Sequence, residues 1–432
     1  MVVLILFILA FPLQASQKDL FGLGGQGSAR VGSITASAEN PYAAHTNPAA
    51  LGAYPLPTFE VSTLWAQTSF SELRGVRLDS PTFVTQNGVE RSGDFSLPVQ
   101  QQALWSLSLN RPFRLPWPLQ EEDAGFGIVL SGPYDRLRSF EARTPYDFST
   151  LRYGTSDNQF KATSGLGFSL FEDRIRVGGA LTLFFTSTGV ADVALLPSGN
   201  TSRMALDIGL NTALVLGTLV NLPSGYKVGL VHRQAIHPQF SQTVRGGLQA
   251  GDLRFSSGTI GLLTTLYDEP TEWEGDIERS QGDYTFSLGA SLQDWKTYQP
   301  ATIEVRTGDS GNAPLPPPLS MTVSPRASVV WEGLDEGLQV ALGYRFRPSP
   351  LRDLTGPWNL LDADTHVLGL AFDYRWHPAA LEPAPVQIGA SVNLQYAPAR
   401  QVTKTDPASI GSPGYTFSIL SMAYGIHFQM PM

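Results

Sequence analysis

Four segments in the C-terminal third of the chain place an apolar residue at every second position. They begin at Leu338, Leu368, Val386 and Leu420. The apolar positions of the first two segments are Leu338, Val340, Leu342, Tyr344 and Phe346, followed by Leu368, Leu370, Phe372, Tyr374 and Trp376. Alternation with a period of two is typical of a β-strand that has one apolar face. The pattern therefore predicts an all-β fold for this part of the chain.

The composition of the two strand faces distinguishes a membrane barrel from a soluble sandwich. Aromatic residues stand at the ends of the apolar faces, as in Tyr374 and Trp376, while Gly, Ser, Asn, Gln and Arg occupy the opposite faces. A lipid-facing band flanked by aromatic girdles and a polar lumen require this division. The sequence therefore predicts a transmembrane antiparallel β-barrel.

Weaker alternation recurs along most of the chain and gives a strand count. Ten further candidate strands begin near Phe59, Ala103, Phe126, Leu166, Ile175, Met204, Tyr226, Thr259, Tyr284 and Met321. Together the candidates give about 14 strands, an even number as in other bacterial barrels, and we place the barrel at residues 58–432. Four polar segments, residues 71–98, 135–161, 269–283 and 307–318, are predicted to be long loops on the extracellular side.

Composition excludes several other classes of protein. The mean hydropathy is -0.05, and no apolar run of 18 residues follows the N-terminus, so a bundle of membrane helices is excluded. The net charge of -9 argues against a nucleic-acid partner. The absence of cysteine excludes disulfides, thiolate sites and a lipoprotein anchor. The six histidines are dispersed and no G-x-S-x-G motif is present, so we predict no catalytic site, metal or cofactor.

Residues 1–15 resemble a secretory signal. An apolar stretch from Val2 to Phe11 is followed by Pro12 and small residues at Ala15 and Ser16, although no Lys or Arg precedes the stretch. We therefore predict export to the outer membrane of a Gram-negative bacterium.

Residues 16–57 are rich in Gly, Ala and Ser and do not alternate, so we predict that they plug the lumen as an N-terminal hatch. Their Gly-rich run contains Gly22, Gly24, Gly25 and Gly27. Although the run spells G-x-G-x-x-G, no strand precedes it and no βαβ unit follows, which argues against a dinucleotide site. The motif Asn47, Pro48, Ala49 predicts a rigid bend.

Three charged residues lie on strong strand candidates. We place Arg345, Arg375 and Asp373 on inward faces as lumen charges. The arginines either hold a substrate carboxylate or pair with acidic lumen residues such as Asp373 and Asp207, which would only keep the interior polar.

The order of several motifs resembles the FadL/TodX family of outer-membrane transporters. The Gly-rich run from Gly22 to Gly52 that contains the Asn47, Pro48, Ala49 motif is similar to the hatch of that family. Further similarities are the segment after Asp294 and Trp295, and the stretch from Gly343 through Ser349 and Pro350 to Asp362 and His366. The similarities extend along the whole mature chain.

The resemblance implies a fourteen-stranded barrel with a hatch, which moves long-chain fatty acids or aromatic hydrocarbons without energy coupling. It places Leu20 and Phe21 near a gating N-terminus, and it implies release of substrate through movement of the hatch and a gap in the wall. The expected partners are a hydrophobic small molecule, outer-membrane lipid or lipopolysaccharide, and the barrel assembly machinery, with the protein a monomer. The chain departs from the usual aromatic terminus, because Phe428 is followed by four more residues.

Three alternatives to the transport hypothesis stay open at this point. A barrel of the same fold can dock or shuttle exported proteins, and a general porin would pass polar solutes. A soluble, secreted all-β protein is the third alternative, because each barrel strand is a weak signal by itself.

Overall fold

In a computed structural model, the chain folds almost entirely into β-strands. The structure describes residues 21–37, 40–53, 56–78, 92–114, 123–134, 148–153, 160–171, 173–196, 199–236, 239–250, 253–265, 269–296, 303–306, 319–333, 337–376 and 385–432. Among these residues, no helix is both long enough and apolar enough to cross a membrane. The predicted signal at residues 1–15 and the predicted gating residue Leu20 lie outside the described part.

The helices are short and most of them precede the first strand. They are α1 (Gly24–Ala29), α2 (Ala43–Thr46) and two 3-10 helices at Pro48–Ala53 and Pro223–Gly225. The strands are β1 (Thr58–Phe70), β2 (Leu73–Arg77), β3 (Ser92–Phe95), β4 (Gln100–Arg114), β5 (Asp123–Pro133), β6 (Ser149–Thr150), β7 (Lys161–Leu170), β8 (Ile175–Leu196), β9 (Gly199–Asn221), β10 (Tyr226–Arg233), β11 (Gln239–Ala250), β12 (Leu253–Thr265), β13 (Thr271–Gln281), β14 (Tyr284–Asp294), β15 (Ile303–Arg306), β16 (Thr322–Glu332), β17 (Leu338–Arg347), β18 (Leu360–Leu361), β19 (Thr365–Trp376), β20 (Val386–Thr403) and β21 (Gly414–Pro431).

Fourteen of these strands close into an antiparallel barrel, as the sequence predicted. The order around the barrel is β1, β4, β5, β7, β8, β9, β10, β13, β14, β16, β17, β19, β20 and β21, and β21 pairs with β1 from Thr58↔Pro431 to Phe70↔Ile419. Strands β11, β12 and β15 lie outside this ring. β11 pairs in parallel with β8, β12 pairs with β11, and β15 pairs with β12.

The two ends of the barrel differ in the length of their connections. Links of two to five residues join β7 to β8, β9 to β10, β13 to β14 and β16 to β17, and all of them lie at the end of the barrel where β1 begins. We call this end the turn end. The opposite end, here the loop end, carries the longest connections, which contain the β2–β3 hairpin and the parallel pair of β6 and β18, together with the two-residue link from β8 to β9.

The two faces of the strands differ in burial, as the alternation in the sequence predicted. Along β17, burial alternates so that Leu338, Leu342 and Tyr344 are exposed on the outer face. Tyr374 and Trp376 of β19 are more than half exposed at the turn end. An apolar outer face of this kind matches the hydrocarbon of a membrane.

One predicted loop is a barrel strand, and one predicted strand lies outside the ring. Residues 269–283, which their acidic residues marked as a loop, contain β13. Their charges alternate with Trp273, Gly275 and Ile277, and Trp273 and Ile277 face outward while the carboxylates point inward toward arginines. The strand predicted near Thr259 belongs to β12, outside the ring. These two errors cancel, so the predicted strand number of 14 agrees with the structure.

Candidate functional site

The described residues of the N-terminal segment, 21–37 and 40–53, lie inside the barrel. Its atoms approach the inner face of every one of the fourteen barrel strands. At β1, Tyr42 Oη donates to Ser62 Oγ (3.2 Å), and across the lumen Asn393 Nδ2 of β20 donates to the Ser28 carbonyl (3.1 Å). The other strands contact the segment through Asn110, Gly125, Thr163, Gly178, Thr218, Arg233, Glu278, Ser287, Ser328, Gln339, Asp373 and His427. Such a set of contacts is possible only from within the lumen.

Residues 43–53 are held by close packing against glycines of the barrel wall. On the inner faces of β5, β7 and β8, a Cβ atom added at Gly125, Gly167 or Gly178 would lie 2.0–2.4 Å from backbone atoms of Pro48 or Leu51. Only glycine, which lacks Cβ, permits this approach. The predicted Asn47, Pro48, Ala49 motif lies at this contact, where the Asn47 side chain donates to the carbonyls of Thr35 (2.7 Å) and Thr218 (3.2 Å). Asn47 Oδ1 also accepts from the Ala49 N–H (3.1 Å).

Residues 30–35 are held by charge. Arg30 Nη2 lies 2.6 Å from Glu278, and the Thr35 N–H donates to Asp276 (2.8 Å). Arg326 of β16 forms ion pairs with Glu274 (2.8 Å) and Asp276 (2.9 Å) and also donates to Thr35 Oγ1 (2.9 Å). All of these groups are buried, so their charges depend on one another for compensation.

The Gly-rich run lies against a third part of the wall. The His427 ring occupies the position where a Cβ of Gly25 would be, and its Nε2 lies 2.5 Å from Asp373 Oδ1. Gln26 donates to Asp373 (2.5 Å) and to Gln339 (2.8 Å). Gly22 and Gly24 adopt positive φ angles of 79° and 67°, which suit glycine. Gly27 is buried in α1.

The structure separates the three predicted lumen charges. Arg345 of β17 is buried and donates to Ser291 Oγ (2.8 Å). Arg375 of β19 is partly exposed near the turn end and lies 3.6 Å from Glu332. Asp373 contacts His427 and Gln26. Asp207, the other suggested partner, is exposed.

An apolar cluster fills the loop-end half of the lumen. It includes Leu64 of β1, Leu104 of β4 and Phe417 of β21, all below 5% exposed. Connections at the loop end contribute Phe148, Leu151, Tyr153, Leu351, Leu354, Leu360 and Leu361. Phe21 belongs to the same cluster, which places one of the two predicted gating residues against it. Gating itself stays a prediction.

Two buried guanidinium groups border the apolar cluster. Arg347 donates to Tyr153 Oη (2.8 Å) and to Gln395 Oε1 (2.7 Å). Arg152 lies 3.6 Å from Asp362 and stacks over the Trp295 ring at 5.6 Å. Apolar side chains with a few polar groups at their margin are the usual lining of a small-molecule site. The sequence did not identify these residues, because they come from separate strands and loops.

A buried lysine ties the connections over the cluster together. Lys404 Nζ donates to the carbonyls of Leu354 (2.9 Å), Gly356 (2.8 Å) and Trp358 (2.6 Å). Burial lowers the pKa of the Lys404 side chain to about 8. The three carbonyls match the three N–H groups of the ammonium form, so Lys404 fixes the connection between β17 and β19 above the lumen.

The fold of the chain has counterparts among solved structures. No protein-family profile and no curated protein matches the chain. A Pseudomonas aeruginosa FadL homologue superposes with a TM-score of 0.64 at 13% identity, covering 94% of this chain and 98% of that one. The Pseudomonas putida toluene transporter TodX superposes with a TM-score of 0.53 at 12% identity, covering 91% and 94%.

These similarities confirm the predicted resemblance at the level of the fold. A closed barrel with an even number of strands and an apolar outer face indicates an outer-membrane protein. The chain therefore shares the fold of the FadL and TodX barrels.

Proposed function

We propose that the protein is a passive outer-membrane channel for hydrophobic small molecules. The apolar cluster inside the barrel is the observation that carries this proposal, because a polar-solute pore would have no need of an apolar interior at the loop end. The fold that the chain shares with the toluene transporter TodX supports it. Ligands would enter at the loop end, which faces the extracellular side.

The proposal extends to the class of substrate. The apolar cluster suits an aliphatic or aromatic body, and the guanidinium groups of Arg152 and Arg347 at its margin suit a carboxylate. Long-chain fatty acids and aromatic hydrocarbons are therefore the candidate substrates. The N-terminal segment would act as the plug that keeps polar solutes out. We retain residues 16–57 as the hatch and residues 1–15 as the export signal.

Uptake by whole cells tests the proposal. Gram-negative cells without a transporter of this kind, expressing the full chain, should take up radiolabelled toluene or oleate faster than cells with an empty vector. Phe417→Ser places a hydroxyl in the apolar cluster and should lower uptake strongly, because the hydroxyl has no partner there. Phe171→Ser is the matched control, since Phe171 is 68% exposed in the turn between β7 and β8. Uptake equal to the empty vector would exclude the proposed function for these two substrates.

Conductance separates this channel from a porin. The intact protein in a planar bilayer should show small conductance, and a variant that lacks residues 17–51 should show large conductance. Large conductance of the intact protein, unchanged by the deletion, would favour the porin.

A further inference from the structure

Three titratable side chains of the barrel wall meet beneath the Gly-rich run. They are Glu60 of β1, Asp373 of β19 and His427 of β21, and each is at most 3% exposed. His427 Nε2 lies 2.5 Å from Asp373 Oδ1. Glu60 is close enough to interact electrostatically with both of the other side chains. We call these three residues the acid–imidazole cluster.

The N-terminal segment covers the acid–imidazole cluster on its lumen side. Gln26 Nε2 donates to Asp373 Oδ2 (2.5 Å). A Cβ atom added at Gly24 would lie 2.8 Å from Glu60 Oε1, and the His427 ring packs against the next glycine in the chain. One short stretch of the segment therefore rests on all three titratable groups.

The groups that surround the acid–imidazole cluster are mostly neutral. Tyr42 of the N-terminal segment contacts Glu60. The residues paired with Glu60 and Asp373 on the neighbouring strands carry no charge, and they are Ser108, Gln339, Gly389 and Gln429. Among the described residues, the His427 imidazole is the one group able to carry a positive charge that contacts these two carboxylates.

The acid–imidazole cluster lies close to water at the turn end. Gln26 also donates to Gln339 (2.8 Å), and Gln339 donates to Glu332 (3.3 Å). Glu332 lies 3.6 Å from Arg375, and the side chains of this pair are 53% and 29% exposed. Two glutamines thus separate Asp373 from a solvent-exposed ion pair.

Protonation changes the charge balance of the acid–imidazole cluster in a defined direction. When His427 carries a proton and Asp373 is ionised, opposite charges are in contact, and the carboxylate is a strong acceptor for Gln26. Acid protonates carboxylates, which in peptides occurs near about pH 4. The imidazolium is then buried without a counter-charge, which is unfavourable, and the bond from Gln26 loses its charge assistance.

We propose that the acid–imidazole cluster is an acid-sensitive latch, which holds residues 22–29 against the wall and releases them when its carboxylates are protonated. The latch rests on the proposed function only in treating the N-terminal segment as the plug of the lumen. It adds a control by pH to that plug.

Hydrogen–deuterium exchange of the full chain in phospholipid nanodiscs tests the latch. Backbone amides in peptides that cover residues 21–30 are followed at pH 7 and pH 4, with correction for the effect of pH on intrinsic exchange. Protection of these amides should fall about tenfold or more at pH 4, the factor expected for the loss of one charge-assisted hydrogen bond. Glu60→Gln combined with Asp373→Asn removes both carboxyl groups and should make protection independent of pH.

His427→Gln should invert the response. This variant leaves two buried carboxylates without a cation at pH 7 and neutral carboxyl groups at pH 4, so protection should be low at pH 7 and high at pH 4. A side chain with only a packing role would change protection equally at both pH values. Glu72→Gln removes an exposed carboxylate at the loop end and should respond as the wild type does.

Two outcomes would overturn the latch. One is equal protection of the wild type at both pH values, and the other is a response as large in the Glu60→Gln, Asp373→Asn variant as in the wild type. Conductance in a planar bilayer separates the latch from the proposed function, because it should rise at pH 4 in the wild type but not in the double variant. Loss of protection without a rise in conductance would leave the latch standing and show that the segment is not the plug.

Discussion

The two halves of the N-terminal segment are held in the lumen by different physical means. Residues 43–53 pack their backbone against glycines of β5, β7 and β8. Residues 30–35 use buried ion pairs and hydrogen bonds to β13 and β16. Packing of the first kind tolerates almost no added volume, whereas a charge cluster tolerates shape changes but not the loss of one partner. The comparison predicts which substitutions release each half.

The largest effect is expected on the charged half. Arg326→Met removes the cation that lies between Glu274 and Asp276 and leaves both carboxylates in a buried site. We expect a loss of about 3–5 kcal/mol in the free energy of unfolding, because an unpartnered buried charge is poorly solvated. Urea titration of the purified protein in detergent, followed by tryptophan fluorescence, measures this loss.

A surface ion pair supplies the control for that measurement. Arg74 lies 3.2 Å from Glu72, but its side chain is 81% exposed. Arg74→Met should therefore change the free energy of unfolding by less than about 1 kcal/mol. Similar midpoints for the two variants would show that the charge cluster contributes little to holding residues 30–35.

A smaller effect is expected on the packed half. Gly178→Ala would place a Cβ 2.3 Å from the Pro48 carbonyl carbon and 2.4 Å from the Ala49 nitrogen, so backbone must move. Overpacking of this kind costs about 1–3 kcal/mol. Because the 3-10 helix at Pro48–Ala53 would be displaced from the wall, single-channel conductance in a planar bilayer should rise.

The neighbouring glycine provides a matched control. A Cβ added at Gly179 would have Leu216 Cδ2 as its nearest neighbour at 3.7 Å, an ordinary contact on the outer face. Gly179→Ala should therefore leave conductance at the wild-type value. An equal rise in both variants would point to a general weakening of β8 rather than to release of the segment.

The sequence predicted the barrel better than it predicted these attachments. Strands such as β17 and β19 alternate regularly between apolar and polar residues. Their secondary structure and their outward-facing residues could therefore be predicted from the sequence alone. β13 was missed because its inward residues are Glu272, Glu274 and Asp276, and a run of carboxylates resembles a solvated loop. Its lumen-facing charges make sense only beside Arg326, which is 50 residues away from Asp276 in the chain.

Local sequence motifs likewise identified residues of the N-terminal segment but not the wall residues that they contact. The Asn47, Pro48, Ala49 motif was recognisable in the sequence, but the glycines that receive it belong to three different strands. The short pairing of β16 with β17, which ends at Arg326↔Arg345, is likewise visible only in the register of the strands. Contacts between strands distant in the chain depend on shear and closure of the barrel, which a single sequence does not encode in any local pattern.

The smallest of the three effects concerns the side chain that joins the two halves. Asn47 is 1% exposed, and it donates to Thr35 of the charged half and to Thr218 of the wall. Asn47→Ala removes these donors and the acceptor of the Ala49 N–H. We expect a loss of about 1–2 kcal/mol in the free energy of unfolding, measured by urea titration, because buried groups lose their partners.

The double variant decides whether the halves act together. Thr35 accepts from Asn47 through its carbonyl and from Arg326 through its hydroxyl, so one residue connects the two attachments. If the segment moves as one body, the losses from Asn47→Ala and Arg326→Met should deviate from additivity by about 0.5 kcal/mol or more. Strict additivity would mean that the packed half stays seated when the charged half is released. In that case, conductance should rise in Gly178→Ala but not in Arg326→Met.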